Sequence, residues 1–220
     1  MTETPEIIVI DGGMVNAYLL RSGERFVLVD SLTTGKRSIV ESALADAGCS
    51  AGKLALIVVT HGDSDHIGSC AYLRAKLGGK IGMHRAEVGA TQEGDMGASR
   101  PNTRWFGRLV FAVLGRFFRI AEADRFTPDV YLDEGADLSA YGLDAKILYL
   151  PGHSQGSIAV LTARGDLFCG DLMTNRTQPQ ANSLVDSPAL LAESIARVRA
   201  LGVRTVYPGH GKPFPMSELA

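Results

Sequence analysis

The chain has 220 residues, of which 45% are hydrophobic and 21% charged, and a formal net charge of −2. This is the profile of a globular domain with one sizeable core, without the basic excess that recruits nucleic acid or anionic membranes. No apolar run is long enough to span a bilayer, and "MTETPEIIVIDGG" has no basic segment followed by an apolar one, so neither a transmembrane segment nor a signal peptide is expected. Three widely spaced cysteines, Cys49, Cys70 and Cys169, argue against a disulfide framework. They fit small buried residues in a cytoplasmic protein.

In chain order, "EIIVI", "NAYLLRS" and "RFVLVDS" read as strands separated by the turns "DGG" and "SGE". Helical spacing follows in "GKRSIVESALADAGCS", with Gly48 as a stop signal. The continuous apolar run "LALIVVT" is a buried strand. After "HGDSDHIG" come a helix in "SCAYLRAKLGG", a strand in "KIGMH" and an irregular stretch, "EVGATQEGDMGASRPNT". Strands return at "AKILYLPG", "SIAVLTA" and "DLFCGD", then a helix at "SPALLAESIARVRALG" and a last strand at "TVYPGHG". Interleaved elements without strict βαβ alternation predict one α/β domain over residues 1–220 with two sheets. A helical insertion is expected near 85–127.

Four of the five histidines, His61, His66, His153 and His210, fall in small-residue loops at predicted strand ends, where binding groups are commonly placed. Their contexts are "VTHGDSDHIG", "LPGHSQGS" and "VYPGHGKP", and "FCGDL" adds Asp171. The glycines beside them permit the close backbone approach that a crowded site needs. Imidazole and carboxylate together suit zinc, iron or manganese, and a pair of metals needs bridging carboxylates.

The ordered set "THGDSDH", "PGHSQGS", "GD" and "PGHG", with "NAYLLRSGERFVLVDS" before it, resembles the metallo-β-lactamase superfamily of binuclear metallohydrolases over nearly the whole chain. The resemblance implies a four-layer αββα sandwich of two mixed sheets, with two divalent metals at one edge, most often zinc. By position, His61, Asp63 and His153 would bind the first metal and Asp65, His66 and His210 the second. Asp171 would bridge them together with a water or hydroxide, whose pKa two cations lower. Asp65 would both ligate and orient the nucleophile. Asp30 matches a family aspartate that supports the site through hydrogen bonds. The family reads Asp-Thr-Gly there, whereas this chain reads Asp30-Ser31-Leu32, which puts the usual tight turn in question. His84, in "IGMHRAE", lies outside these motifs and reads as structural or supporting.

The family's HxHxDH appears here as His61-x-Asp63-x-Asp65-His66. A carboxylate for an imidazole leaves the site one formal positive charge poorer, and its harder oxygen shifts preference from zinc toward iron or manganese. Flavodiiron oxidoreductases also place an acidic residue at this position but carry a flavin-binding domain, for which 220 residues leave no room. Asp63 is read as a true ligand of a two-metal site rather than a weak one that leaves only the second site filled.

From Arg104 to Arg119 the sequence "RWFGRLVFAVLGRFFR" is amphipathic on a helical wheel. It reads as a core-covering helix, a wall or lid over the site with Trp105 and Phe106 against substrate, or a basic membrane-surface or homodimer contact. The leading expectation is a metal-dependent hydrolase of an ester, thioester or lactone-type small molecule, with no nucleic-acid partner. The chain is short for the helical C-terminal domain of glyoxalase II-like thioesterases. Two alternatives stand beside it: a non-haem iron oxidoreductase resembling the persulfide dioxygenases, and a non-catalytic metal-binding protein.

Overall fold

In the segments 16–22, 25–29 and 54–59, alternate residues are buried on opposite faces, so each strand there needs cover on both sides. Ala17 and Leu19, Phe26 and Leu28, and Ile57 and Val59 pack in one apolar cluster. Tyr18 and Leu20, Val27 and Val29, and Leu56 and Val58 pack in another. A period of two buried on both faces is the mark of a sheet inside a layered structure.

This arrangement is seen in a computed structural model, which describes residues 5–99 and 119–219. The first sheet runs β1 (Glu6–Asp11), β2 (Asn16–Ser22), β3 (Arg25–Val29), β4 (Leu54–Val58), β5 (Lys80–Met83) and β6 (Val130–Tyr131), in that spatial order. The pairs β1–β2 and β2–β3 are antiparallel; β3 to β6 are parallel. The second sheet is built from β7 (Ala145–Tyr149), β8 (Ile158–Thr162), β9 (Asp166–Asn175), β11 (Thr205–Gly211) and β12 (Phe214–Pro215), with β10 (Gln180–Ala181) paired to β9. Only its β9–β11 pair is parallel.

Three apolar clusters define three interfaces and hence four layers. Helices α1 (Arg37–Asp46) and α3 (Cys70–Leu77) cover the outer face of the first sheet through Val40, Leu44, Cys70 and Leu73. Between the sheets lie Tyr18, Leu20, Val27, Leu56, Ile147, Val160 and Phe168. Helix α5 (Pro188–Ala200) covers the second sheet through Leu191 and Val198. The expected αββα sandwich of mixed sheets is the observed fold. All three cysteines are buried and unpaired, and no described helix is long and apolar enough to cross a membrane.

Two elements depart from expectation. Of the helical insertion expected near 85–127, residues 100–118 lie outside the described residues; within it, the stretch read as irregular contains the short helix α4 (Val88–Glu93). Its sequence, with Gly89 and Thr91, has weak helical propensity, and the helix is held by burial of Ala90 and Thr91 until Gly94 ends it in the left-handed region. Strand β9 runs on beyond "DLFCGD" to Asn175, carried by its pairing with β11 and β10.

At the edge that carries His210 the sheets are pinned by polar groups. The Tyr18 hydroxyl donates to the Pro208 carbonyl at 2.5 Å, and Asn16 Nδ2 donates to the Gly211 carbonyl at 2.6 Å. Both bonds join β2 to β11 on either side of His210. Burial pushes the Tyr18 phenol's pKa up, which keeps it a donor. Phe168 stands between the sheets, edge-on to Tyr18 at 5.2 Å and stacked on Tyr207 at 4.6 Å. Truncating Phe168→Ala should cost about 3–5 kcal/mol in equilibrium denaturation, the usual range for a fully buried ring. A loss below about 1 kcal/mol would show that this ring is not at the centre of the core.

Candidate metal centre

Each site residue is presented by an element end at one edge of the sandwich. His61 lies in the loop after β4. Asp65 and His66 stand on a one-turn helix, α2 (Ser64–Ile67). Asp63 is the residue that precedes this helix, in extended conformation, where an aspartate usually accepts a bond from the first turn. Here it makes no such cap; its carboxylate is turned toward the histidines instead. His153 comes from the β7–β8 loop, Asp171 from within β9 and His210 from β11.

The seven groups meet in one place. Asp63 Oδ2 lies 3.5 Å from His61 Nε2 and 3.2 Å from His153 Nε2. Asp65 Oδ2 lies 3.9 Å from His66 Nε2 and 3.5 Å from His210 Nε2. Asp171 stands between: its Oδ1 is 3.4 Å from His66 Nε2, and its Oδ2 is 3.3 Å from His210 Nε2 and 3.9 Å from His153 Nε2. The ligand atoms of His61, Asp63 and His153 lie within 4.8 Å of one another, as do those of Asp65, His66 and His210. Gly209 makes this crowding feasible, because a Cβ there would sit 2.5 Å from Asp171 Oδ1 and 2.7 Å from His66 Cε1.

All four imidazoles turn the same nitrogen inward because the other is engaged. His66 Nδ1 is 2.8 Å from Asp30 Oδ2. His61 Nδ1 is 3.0 Å from Thr60 Oγ1, whose own hydroxyl donates to Asp30 Oδ2 at 2.8 Å. His153 Nδ1 is 2.7 Å from the Leu184 carbonyl and His210 Nδ1 is 2.5 Å from the Met14 carbonyl. Carboxylate and carbonyl oxygens only accept, so His66 and His153 carry their hydrogen on Nδ1; at His210 the Met14 carbonyl at 2.5 Å lies nearer than the donor Arg176 Nη2 at 3.0 Å and places it there as well. In His61 it falls there too, because the Thr60 hydrogen is already given to Asp30. In these neutral tautomers each Nε2 turns its lone pair to the centre of the cluster, where His153 Nε2 lies 3.2 Å from Asp63 Oδ2.

The fit to cations is also electrostatic. His61 Nε2, His66 Nε2 and Asp171 Oδ1 are buried and make no hydrogen bond, a costly arrangement unless something else satisfies them. Burial opposes a charge on His66, yet the carboxylates of Asp65, Asp30 and Asp171 outweigh it and hold its pKa well above the ordinary 6.5. Burial likewise works against ionised Asp171, but His66, His210 and His153 hold its pKa well below the usual carboxylate value. The cluster thus favours positive charge at its centre, and divalent ions would supply it while displacing the proton from His66.

The Asp30 turn survives the departure from Asp-Thr-Gly. Asp30 (φ 60°) and Leu32 (φ 58°) both adopt the left-handed region, which aspartate tolerates and leucine rarely visits, at a cost of about 1–2 kcal/mol. Leu32 is fully buried in the outer apolar cluster, which offsets the strain. The turn is stitched to the ligand helix by bonds from Ser31 N to the His66 carbonyl at 2.7 Å and from Gly68 N to the Leu32 carbonyl at 2.9 Å.

His84 lies outside the cluster, stacked on Tyr149 at 4.7 Å and 3.8 Å from Asp133. Trp105, Phe106 and the 104–118 part of the amphipathic segment fall outside the described residues. Several groups at the site escape a reading of the sequence: Thr60, the carbonyls of Met14 and Leu184, and Asn182, whose Nδ2 donates to Asp171 Oδ2 at 3.2 Å. Thr60 alone left a trace, as the residue beside His61. A carbonyl partner leaves none, since every residue has one.

The sequence matches the metallo-beta-lactamase superfamily over residues 10–210, and the chain belongs to that family. It is 27% identical over 125 residues to hydroxyacylglutathione hydrolase GloC of Haemophilus influenzae, a match spanning 54% of this chain and 50% of that protein. The chain therefore spans about half the length of this curated relative. Two solved structures share the fold. TTHA1623 in a di-iron-bound form has a TM-score of 0.72 at 24% identity, covering 96% of this chain and 95% of that one. The B3 metallo-beta-lactamase BLEG-1 has a TM-score of 0.72 at 20% identity, covering 98% and 95%.

Asp30→Asn provides a direct test of the orienting network. An amide nitrogen in place of Oδ2 cannot accept from His66 Nδ1, which drives the hydrogen to Nε2 and blocks its lone pair. Metal affinity, followed by titration of the metal-free protein, should fall about 10–100-fold. Wild-type affinity should itself weaken on acidification, as the proton competes for His66. An unchanged affinity in the variant would remove Asp30 from the account.

Proposed function

We propose that this chain is a metal-dependent hydrolase holding two divalent ions, one among His61, Asp63 and His153 and the other among Asp65, His66 and His210, with Asp171 between them. The observation that carries this reading is the convergence of four Nε2 atoms and three carboxylates in which buried His61 Nε2, His66 Nε2 and Asp171 Oδ1 have no hydrogen-bond partner. Such ions, when bound, supply an acidified water near neutral pH and a Lewis acid for a carbonyl oxygen. Zinc is the first choice of metal, and the oxygen of Asp63 also admits iron or manganese.

The chain's own groups divide the remaining work. The Asp65 side chain is 34% exposed, against 15% for Asp63 and 9% for Asp171, so Asp65 is the carboxylate that meets incoming substrate and can hold a proton there. Exposed Arg176 places Nη2 3.0 Å from His210 Nδ1. That nitrogen already donates to the Met14 carbonyl, which leaves the guanidinium to bind an anionic group on the substrate. An ester, thioester or lactone fits this arrangement, and the relationship to a hydroxyacylglutathione hydrolase puts thioesters first. The buried thiols fit a cytoplasmic setting.

A second reading, a non-haem iron oxidoreductase, is favoured by one feature, the carboxylate of Asp63 at the first metal. Metal-free protein reloaded with zinc, manganese or iron and assayed against p-nitrophenyl esters, lactones, thioesters and phosphodiesters separates the two. We expect two metals per chain and metal-dependent cleavage of a thioester, ester or lactone. Oxygen uptake by the iron form without hydrolysis would favour the second reading. One tightly held metal in the native chain but two in Asp63→His would remove Asp63 from the ligand set.

A further inference from the structure

Glu87, just after β5 and directly before α4, is 2% exposed and belongs to no motif considered above. Its two carboxylate oxygens accept from two different loops. Oε2 accepts from Gly62 N at 2.9 Å and Oε1 from Gly156 N at 2.8 Å. Gly62 separates His61 from Asp63, and Gly156 lies three residues beyond His153. Each of the three residues placed at the first metal therefore sits on a loop whose backbone is held by this one carboxylate.

The packing around it leaves no slack. A Cβ on Gly62 would lie 2.7 Å from Ala90 Cβ and 3.0 Å from Glu87 Oε2; one on Gly156 would lie 2.7 Å from Glu87 Cγ. The Gly62 loop thus presses against Glu87 and α4, and the Gly156 loop against Ala86 and Glu87, at distances that only glycine permits. Among the described residues no Lys, Arg or His lies within ion-pair distance of Glu87, and the two N–H groups are the donors its carboxylate meets. A buried carboxylate with no cationic partner is costly, and a cation held by the clamped loops would ease that cost.

We infer that Glu87 is a positioning residue that fixes the spacing of the His61–Asp63 and His153 loops and thereby controls occupancy of the first metal site. In the second set, His66 is anchored by Asp30 and His210 by the Met14 carbonyl, groups that do not touch Glu87. Glu87 should therefore act on one metal and spare the other. This inference rests on the two-metal reading above.

The test is titration of metal-free protein with Co2+, followed by absorption, in wild type, Glu87→Gln and Glu87→Ala, with folding checked by circular dichroism. Glutamine keeps the reach and one of the two acceptors, whereas alanine keeps neither. The expected result is two binding events in wild type, with one of them weakened about tenfold or more in Glu87→Ala, less in Glu87→Gln, and the other within about twofold. Equal weakening of both events in folded variants, or no weakening, would overturn the assignment. Amide hydrogen exchange of metal-free wild type and Glu87→Ala gives a readout independent of metal. Selective loss of protection at Gly62 and Gly156 supports the clamp, and unchanged protection overturns it. If wild type binds a single Co2+, the two-metal reading fails, and the exchange result alone decides whether Glu87 holds the loops.

Discussion

One buried carboxylate carries the geometry of this site. Asp30, at the end of β3, accepts from Thr60 N, from the Thr60 hydroxyl and from His66 Nδ1, each at 2.8 Å. Through Thr60 it also fixes His61. The two histidines at the start of the ligand sequence are assigned to different metals, yet both take their tautomer from the same group. Three donors on one buried anion repay its desolvation, and the left-handed turn at Asp30-Ser31-Leu32 is the strain accepted to bring the carboxylate there.

The sandwich supplies rigidity around that pivot. The candidate ligands from the first sheet's loops face those from the second sheet's strands and its β7–β8 loop across an edge pinned by Asn16 and Tyr18. Small errors of placement matter when seven polar groups share one space. The close fit at Gly209 shows how little room is left. Three carboxylates face four imidazoles, and the raised pKa of His66 with the lowered one of Asp171 express the same demand for positive charge at the centre. Asp63 adds a third carboxylate to that demand, where the usual family pattern has a neutral imidazole.

Much of this was legible in the sequence, for a physical reason. Strands buried on both faces write themselves as apolar runs, and ligands declare their chemistry through residue type, so the layered fold and the grouping of His61, Asp63, Asp65, His66, His153, Asp171 and His210 could be anticipated. What stayed hidden depends on tertiary contact. Helix α4 has weak propensity of its own and exists through packing of Ala90. The carbonyls of Met14 and Leu184 are chemically anonymous in a sequence. Glu87, in a stretch without periodicity, looks like any surface glutamate until Gly62 and Gly156 are seen on either side of it. The turn at Leu32 shows the converse: the expected glycine is missing, yet burial of leucine keeps the conformation.

The proposal that this edge holds two ions, with Asp63 on the first, is open to direct observation. A crystal structure of the metal-loaded protein, with anomalous data collected at the metal's absorption edge, tests it most directly. Two anomalous peaks are expected, one contacted by His61, Asp63 and His153 and the other by Asp65, His66 and His210, with Asp171 touching both. A single peak at the second position, with Asp63 turned away, would contradict it.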